Sequence, residues 1–200
     1  QGTWRLGSYS QGVIEQGPRG MTTATAATAD RADARPTRAR AIGTLLGFLL
    51  ISSVVAATGA LVAGHAIAGW YAAADKPMWT PSDDVFAPIL GLSYALMAFG
   101  AWLVWMTPET EERSAALTVY VLQLALGAIW APAFFGLGGV VGAAGPWAAL
   151  IVIVLTAIVL LATLFRFWEL SRAGALLLVP AFAWVLYAMT LNAAIAVLAL

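Results

Sequence analysis

The chain has 200 residues, a formal net charge of zero, 62% hydrophobic residues and only 10% charged ones. Soluble domains are about 45–50% apolar, so the composition points to a lipid environment and leaves no basic surface for nucleic acid. With no cysteine and His65 as the single histidine, disulfides, thiolate or polyhistidine metal centres and histidine-driven nucleophiles are all excluded within one chain.

Residues 1–20, QGTWRLGSYSQGVIEQGPRG, precede Met21 and have no apolar core. They read as a vector-derived remnant or upstream sequence. Residues 21–40, MTTATAATADRADARPTRAR, show no apolar periodicity, so 1–40 is expected to form a disordered extension ahead of a domain at 41–200. The apolar run that follows is too long for a secretory signal and has no clear stop.

Apolar runs cover roughly 41–64, 85–106, 114–136, 147–168 and 173–199. Four of them hold about 20 or more nearly uncharged residues, enough to cross a bilayer core as helices. The predicted fold class is all-α, an integral membrane bundle of five transmembrane helices without an inverted repeat. Connectors with breakers or charges fall at 107–113 (TPETEER), 136–146 (GLGGVVGAAGP) and 166–172 (RFWELSR). With a cytoplasmic N-terminus, the inner face receives Arg31, Arg35, Arg38, Arg40, Arg113, Arg166 and Arg172, and the outer face only Lys76. That asymmetry places the C-terminus and the first loop outside.

Several local features take simple readings. Gly43 and Gly47 in GTLLG form a GxxxG pair suited to helix contact within the bundle or between subunits. His65 is an interfacial residue at the outer end of the first span. Asp83 and Asp84 complement a helix N-terminus, with Ser82 or Asp83 as its cap. Pro88, Pro132 and Pro180 should kink their spans. Trp102 and Trp105 belong to the aromatic belt, and Glu109, Glu111 and Glu112 to a solvated turn.

The spans lack mid-depth Asp, Glu, Lys and His, which argues against ion pumps and proton-coupled carriers. A retinal protein needs a mid-helix lysine, and Lys76 is in a loop. Gln123, Gly127, Trp130 and Phe134 share one face of the third helix; Leu90, Tyr94 and Met97 share one on the second; Trp184, Ala188 and Leu191 share one on the fifth. Either these faces pack helix on helix, or they enclose an aromatic cavity suited to a flat hydrophobic ligand.

The first loop, WYAAADKPMWTP, resembles the signature of the TspO/MBR family, the tryptophan-rich sensory proteins also called translocator proteins or peripheral benzodiazepine receptors. The similarity continues through VFAPILGLSYALMAFGAWLVW, YVLQLALGAIWAPAFFG and VPAFAWVLYAMTLN, in the family's order across residues 69–192. It implies a five-helix bundle whose pocket lies at its mouth beneath the first loop. Tetrapyrroles such as porphyrin or haem are the implied ligands, with sterol- or isoprenoid-like molecules as further candidates and no required cofactor. Carried over by position, the pocket falls on Tyr71, Leu90, Tyr94, Gly127, Trp130, Trp147, Leu150, Trp184 and Ala188, with Gln123 as a further hydrogen-bonding group. The lid corresponds to Trp70, Lys76, Pro77, Trp79 and Pro81, and Asn192 matches the end of the last block.

Departures from the family pattern carry consequences. Leu90 stands where a tryptophan is usual, which counts against light-dependent porphyrin breakdown, the enzymatic alternative; no catalytic residue or metal site is assigned. Gly127 replaces a usual asparagine and Ser82 the lid's second proline. Thr118 and Leu122 replace the small pair of the family's dimer face, so any homodimer has an altered third-helix interface. The loop before Trp147 is longer than usual, and the sterol motif after Asn192 is missing. A regulatory partner protein with a degenerate pocket is the remaining alternative. The resemblance and the charge asymmetry together imply a bacterial cell membrane.

Overall fold

The computed structural model describes residues 36–199, without the side chains of Asp83 and Asp84. The expectations for residues 1–35, for Arg31 and Arg35, and for the two aspartate side chains lie outside the described residues. All described elements are helical. Five stretches are long and apolar enough to cross a membrane: Arg38–Ile67, Val85–Trp105, Glu111–Val141, Ala144–Leu170 and Arg172–Leu198.

Helix α1 (Arg38–Ile67) begins earlier than the apolar run that predicts it. Thr37 is the N-cap, its Oγ1 accepting from the Arg40 amide at 3.4 Å. Arg38 to Arg40 therefore form the first helical turn rather than the tail of an extension. The Arg40 guanidinium lies 5.6 Å from the Trp105 ring centroid, and Trp102 Nε1 donates to the Ala41 carbonyl at 2.9 Å. These contacts join the start of the first span to the end of the second. His65 sits inside the last turn of α1, its Nδ1 donating to the Leu61 carbonyl at 3.0 Å.

A short α2 (Trp70–Ala73) opens the first loop, and α3 (Asp83–Trp105) forms the second span. Ser82 holds the N-cap position of α3 without a side-chain cap bond, and Pro88 lies within the helix without ending it. At its far end Arg113 meets the last carbonyl of α3 and one just beyond the helix. Its Nη1 donates to the carbonyls of Trp105 (3.1 Å) and Thr107 (2.9 Å), and its Nη2 pairs with Glu109 at 3.2 Å. Glu109 thus helps hold an arginine cap in place.

Helix α4 (Glu111–Ala131) is capped by Thr110 and runs into a π-helical turn at Pro132–Gly136, then α5 (Leu137–Val141). Proline has no amide hydrogen to continue the ladder, and the wider turn absorbs the fault. The expected connector at 136–146 is consequently mostly helix. Only Gly142 and Ala143 separate α5 from α6 (Ala144–Leu170), and Gly142 turns the chain at φ 60°. A residue with a Cβ is disfavoured in that conformation.

The connector expected at 166–172 shrinks in the same way. Helix α6 runs to Leu170, and Ser171 both ends it and caps α7 (Arg172–Leu176), its Oγ accepting from the Gly174 amide at 3.1 Å. The fifth span then breaks at Leu177–Leu178 and resumes as α8 (Val179–Leu198), with Pro180 in the first turn.

Two buried clusters stabilise the bundle. One centres on Tyr120, Leu160, Phe167 and Leu178 near the arginine-bearing ends; the other joins Phe134, Phe135, Ala149 and Ile195 near the first loop. Ser52 Oγ and Tyr120 Oη share a buried hydrogen bond at 3.2 Å, tying the first span to the third. The second and fifth spans cross closely: a Cβ on Gly100 would lie 2.7 Å from the Gly174 carbonyl oxygen. By contrast, nothing lies within 4 Å of a Cβ placed on Gly43 or Gly47, so that pair makes no close contact within the described chain.

Candidate functional site

The first loop is fastened at both ends. Trp70 Nε1 donates to the Phe135 carbonyl at 2.9 Å, and its ring lies directly against Gly138, where a Cβ would collide with it. The glycines of α5 therefore provide a seat for an indole. Tyr71 packs edge-on to Phe134 and Phe135, at centroid distances of 6.0 and 5.4 Å, and carries Lys76 Nζ 4.6 Å from its own centroid. Pro77 opens a tight turn in which its carbonyl accepts from the amide and hydroxyl of Thr80, at 3.0 and 2.7 Å. At the far side the Tyr187 hydroxyl donates to the Trp79 carbonyl. Trp79 itself remains exposed and Pro81 half-buried.

Between the spans lie two apolar cavities that share a wall. The smaller, about 60 Å³, lies among the second to fifth spans and is bordered by Met97, Gln123, Ile153, Ala181, Trp184 and Ala188. The larger, about 330 Å³, lies toward α1 and is bordered by Ala56, Gly59, Ala63, Ile67, Phe86 and Phe135. Leu90, Tyr94, Gly127 and Trp130 line both. The Tyr94 ring stands over Gly127, where a Cβ would meet its hydroxyl oxygen at 2.8 Å.

The shared wall is fixed by hydrogen bonds to a buried asparagine. Trp130 Nε1 donates to Asn192 Oδ1 at 3.1 Å, and Asn192 Nδ2 donates to the Pro146 carbonyl at 2.8 Å. Asn192 is 1% exposed, and its two bonds tie the third, fourth and fifth spans together. Trp130 also stacks on Phe134, with centroids 5.5 Å apart and planes 15° apart. Trp184 meets Phe86 edge-on at 5.2 Å and Tyr187 at 5.4 Å. Trp184 and Tyr187 thus connect the cavity wall to the loop.

Of the positions singled out from sequence, Leu90, Tyr94, Gln123, Gly127, Trp130, Trp184 and Ala188 gather around the cavities. Tyr71, Trp147 and Leu150 are not among the lining residues. Tyr71 belongs to the aromatic cluster beneath the loop, and Trp147 is 40% exposed on the outside of α6. Phe134, placed by spacing on the same face as Trp130, lies in the π-helical turn and packs against Trp70 and Tyr71. Ser93, Ile153, Thr156 and the α1 face were missed. The α1 face was marked by small residues at helical spacing, Ala56, Gly59 or Ala60, and Ala63.

These features define an integral membrane helix bundle with cavities between its spans and a loop fastened across one end. A profile of the TspO/MBR family matches residues 48–198. The chain is 35% identical over 153 residues to the translocator protein of Sus scrofa, covering 74% of this chain and 85% of that protein. It is 30% identical over 146 residues to protein CrtK of Rhodobacter capsulatus, covering 72% and 86%. With the tryptophan-rich protein TspO of Archaeoglobus fulgidus it shares 29% over 151 residues, covering 76% and 94%. The chain belongs to the TspO/MBR family.

Proposed function

We propose that this chain is a membrane-embedded binding protein for tetrapyrroles or similar planar hydrophobic ligands, acting in sensing or transport. The observation that carries the reading is the shared wall of Leu90, Tyr94, Gly127 and Trp130 between two apolar cavities. Ligand sites of this kind occupy about 300–1,000 Å³ and are lined by apolar and aromatic groups with few polar ones. The larger cavity reaches that range alone. Trp130 and Trp184 offer ring faces for stacking, and the fastened loop excludes water from the polar contacts.

The proposed orientation has the arginine-bearing ends in the cytoplasm and Lys76 with the first loop outside, in a bacterial cell membrane. Titration of protoporphyrin IX into the detergent-solubilised protein tests the binding reading. A saturable shift of the porphyrin absorbance band is expected. A shift that grows linearly, as in empty detergent micelles, would sink the proposal.

A further inference from the structure

One buried polar atom on the cavity wall has no hydrogen-bond partner among the described residues. Gln123 is 3% exposed and lines the smaller cavity. Its Nε2 donates to Met97 Sδ at 3.2 Å, while its Oε1 accepts no hydrogen bond from the described residues. Thioether sulfur is a weak acceptor, so the contact with Met97 uses the amide's donor end and leaves its strong acceptor idle. An amide oxygen unpaired at this depth carries a desolvation cost that a donor would remove. The neighbouring Thr156 hydroxyl is already committed, donating to the Val152 carbonyl at 2.8 Å.

We infer that Gln123 Oε1 is an acceptor subsite that selects ligands bearing a hydroxyl or N–H donor on an apolar substituent, an inference that rests on the ligand-binding role proposed above. The smaller cavity, at about 60 Å³, is too small for a macrocycle and admits a group of a few heavy atoms. A purely apolar substituent leaves the oxygen unpaired. An ether or carboxylate sets a second acceptor against it. A hydroxyl pairs it without bringing a charge into an apolar space, so acidic side groups of the ligand are directed away from this end.

The test uses three porphyrins that share a macrocycle and differ at two peripheral positions: protoporphyrin IX (vinyl), haematoporphyrin (hydroxyethyl) and the dimethyl ether of haematoporphyrin (methoxyethyl). Each is titrated into the detergent-solubilised protein and its Gln123→Met variant. The hydroxyethyl form is expected to bind about tenfold more tightly than the methoxyethyl form, and the variant to erase that preference. Where Gln123→Met does not fold, Gln123→Asn withdraws the amide by one methylene and is expected to reduce the preference. Equal binding of the three, as when water alone serves the oxygen, overturns the inference and leaves the ligand-binding role standing. A preference that survives both variants overturns it as well. If no porphyrin binds, the tetrapyrrole role fails and geranylgeraniol against its methyl ether decides the subsite. Preference for the alcohol supports it; equal binding overturns it.

Discussion

The hydroxyl of Tyr94 stands where a side chain on residue 127 would begin. A Cβ on Gly127 would lie 2.8 Å from that oxygen and 3.9 Å from the ring carbon that bears it. Sequence comparison presents Gly127 as a lost asparagine; in the fold the space is already taken by the second span's tyrosine. Gly127→Ala should therefore cost about 1–3 kcal/mol through overpacking. Removing the clashing oxygen in Gly127→Ala/Tyr94→Phe should recover most of that loss, because the next ring atom is at ordinary contact distance. Thermal melting of the two variants in detergent checks this, and an unrelieved loss would show that Tyr94 is not the obstacle.

Asn192 links the Trp130 indole to the Pro146 carbonyl through a side chain that is itself buried. Asn192→Leu removes the acceptor and leaves the indole N–H without a partner, at an expected cost of about 1–3 kcal/mol. The melting temperature should fall, and the near-ultraviolet tryptophan signal should change because Trp130 loses its fixed orientation. A variant with unchanged melting and spectrum would remove Asn192 from the structural role given to it here.

The Tyr187 hydroxyl holds the loop at the Trp79 carbonyl. Tyr187→Phe keeps the ring beside Trp184 and deletes only that bond, worth about 1 kcal/mol. Hydrogen exchange across 74–80 should speed up by about fivefold while the spans stay protected. Equal protection in wild type and variant would mean that the seat of Trp70 against α5 holds the loop alone.

The chain has no cysteine, so single introduced thiols report orientation without background. In intact cells, Lys76→Cys should react with a membrane-impermeant maleimide, whereas Glu109→Cys should react only after lysis. The reverse pattern would invert the proposed orientation.

Much of the architecture could be read from residue type. Long uncharged runs forced helices across a bilayer, and Pro132 and Pro180 mark where two of them fault. Harder to read was the stretch 136–146, whose glycines suggested a loop. In the fold all of them but Gly142 lie in helical turns: Gly138 must admit the Trp70 ring, and a Cβ on Gly145 would strike the backbone of Gly138. Close packing explains Gly138 and Gly145, and a positive φ explains Gly142. For the site, spacing along α3, α4 and α8 brought together Tyr94, Gln123, Trp130, Trp184 and Ala188. Position alone did not give the rotation of α6, which turns Trp147 outward and Ile153 and Thr156 inward. Nor did it give the α1 wall, whose small residues at helical spacing mark close helix packing as readily as a cavity.

The most direct test of the binding role is titration of protoporphyrin IX against wild type and Trp184→Ala, following quenching of tryptophan emission. Saturable quenching is expected in wild type, with affinity weakened about tenfold in the variant through loss of one stacking face. Quenching that never saturates, or identical affinity in the two proteins, would contradict a tetrapyrrole site between these spans.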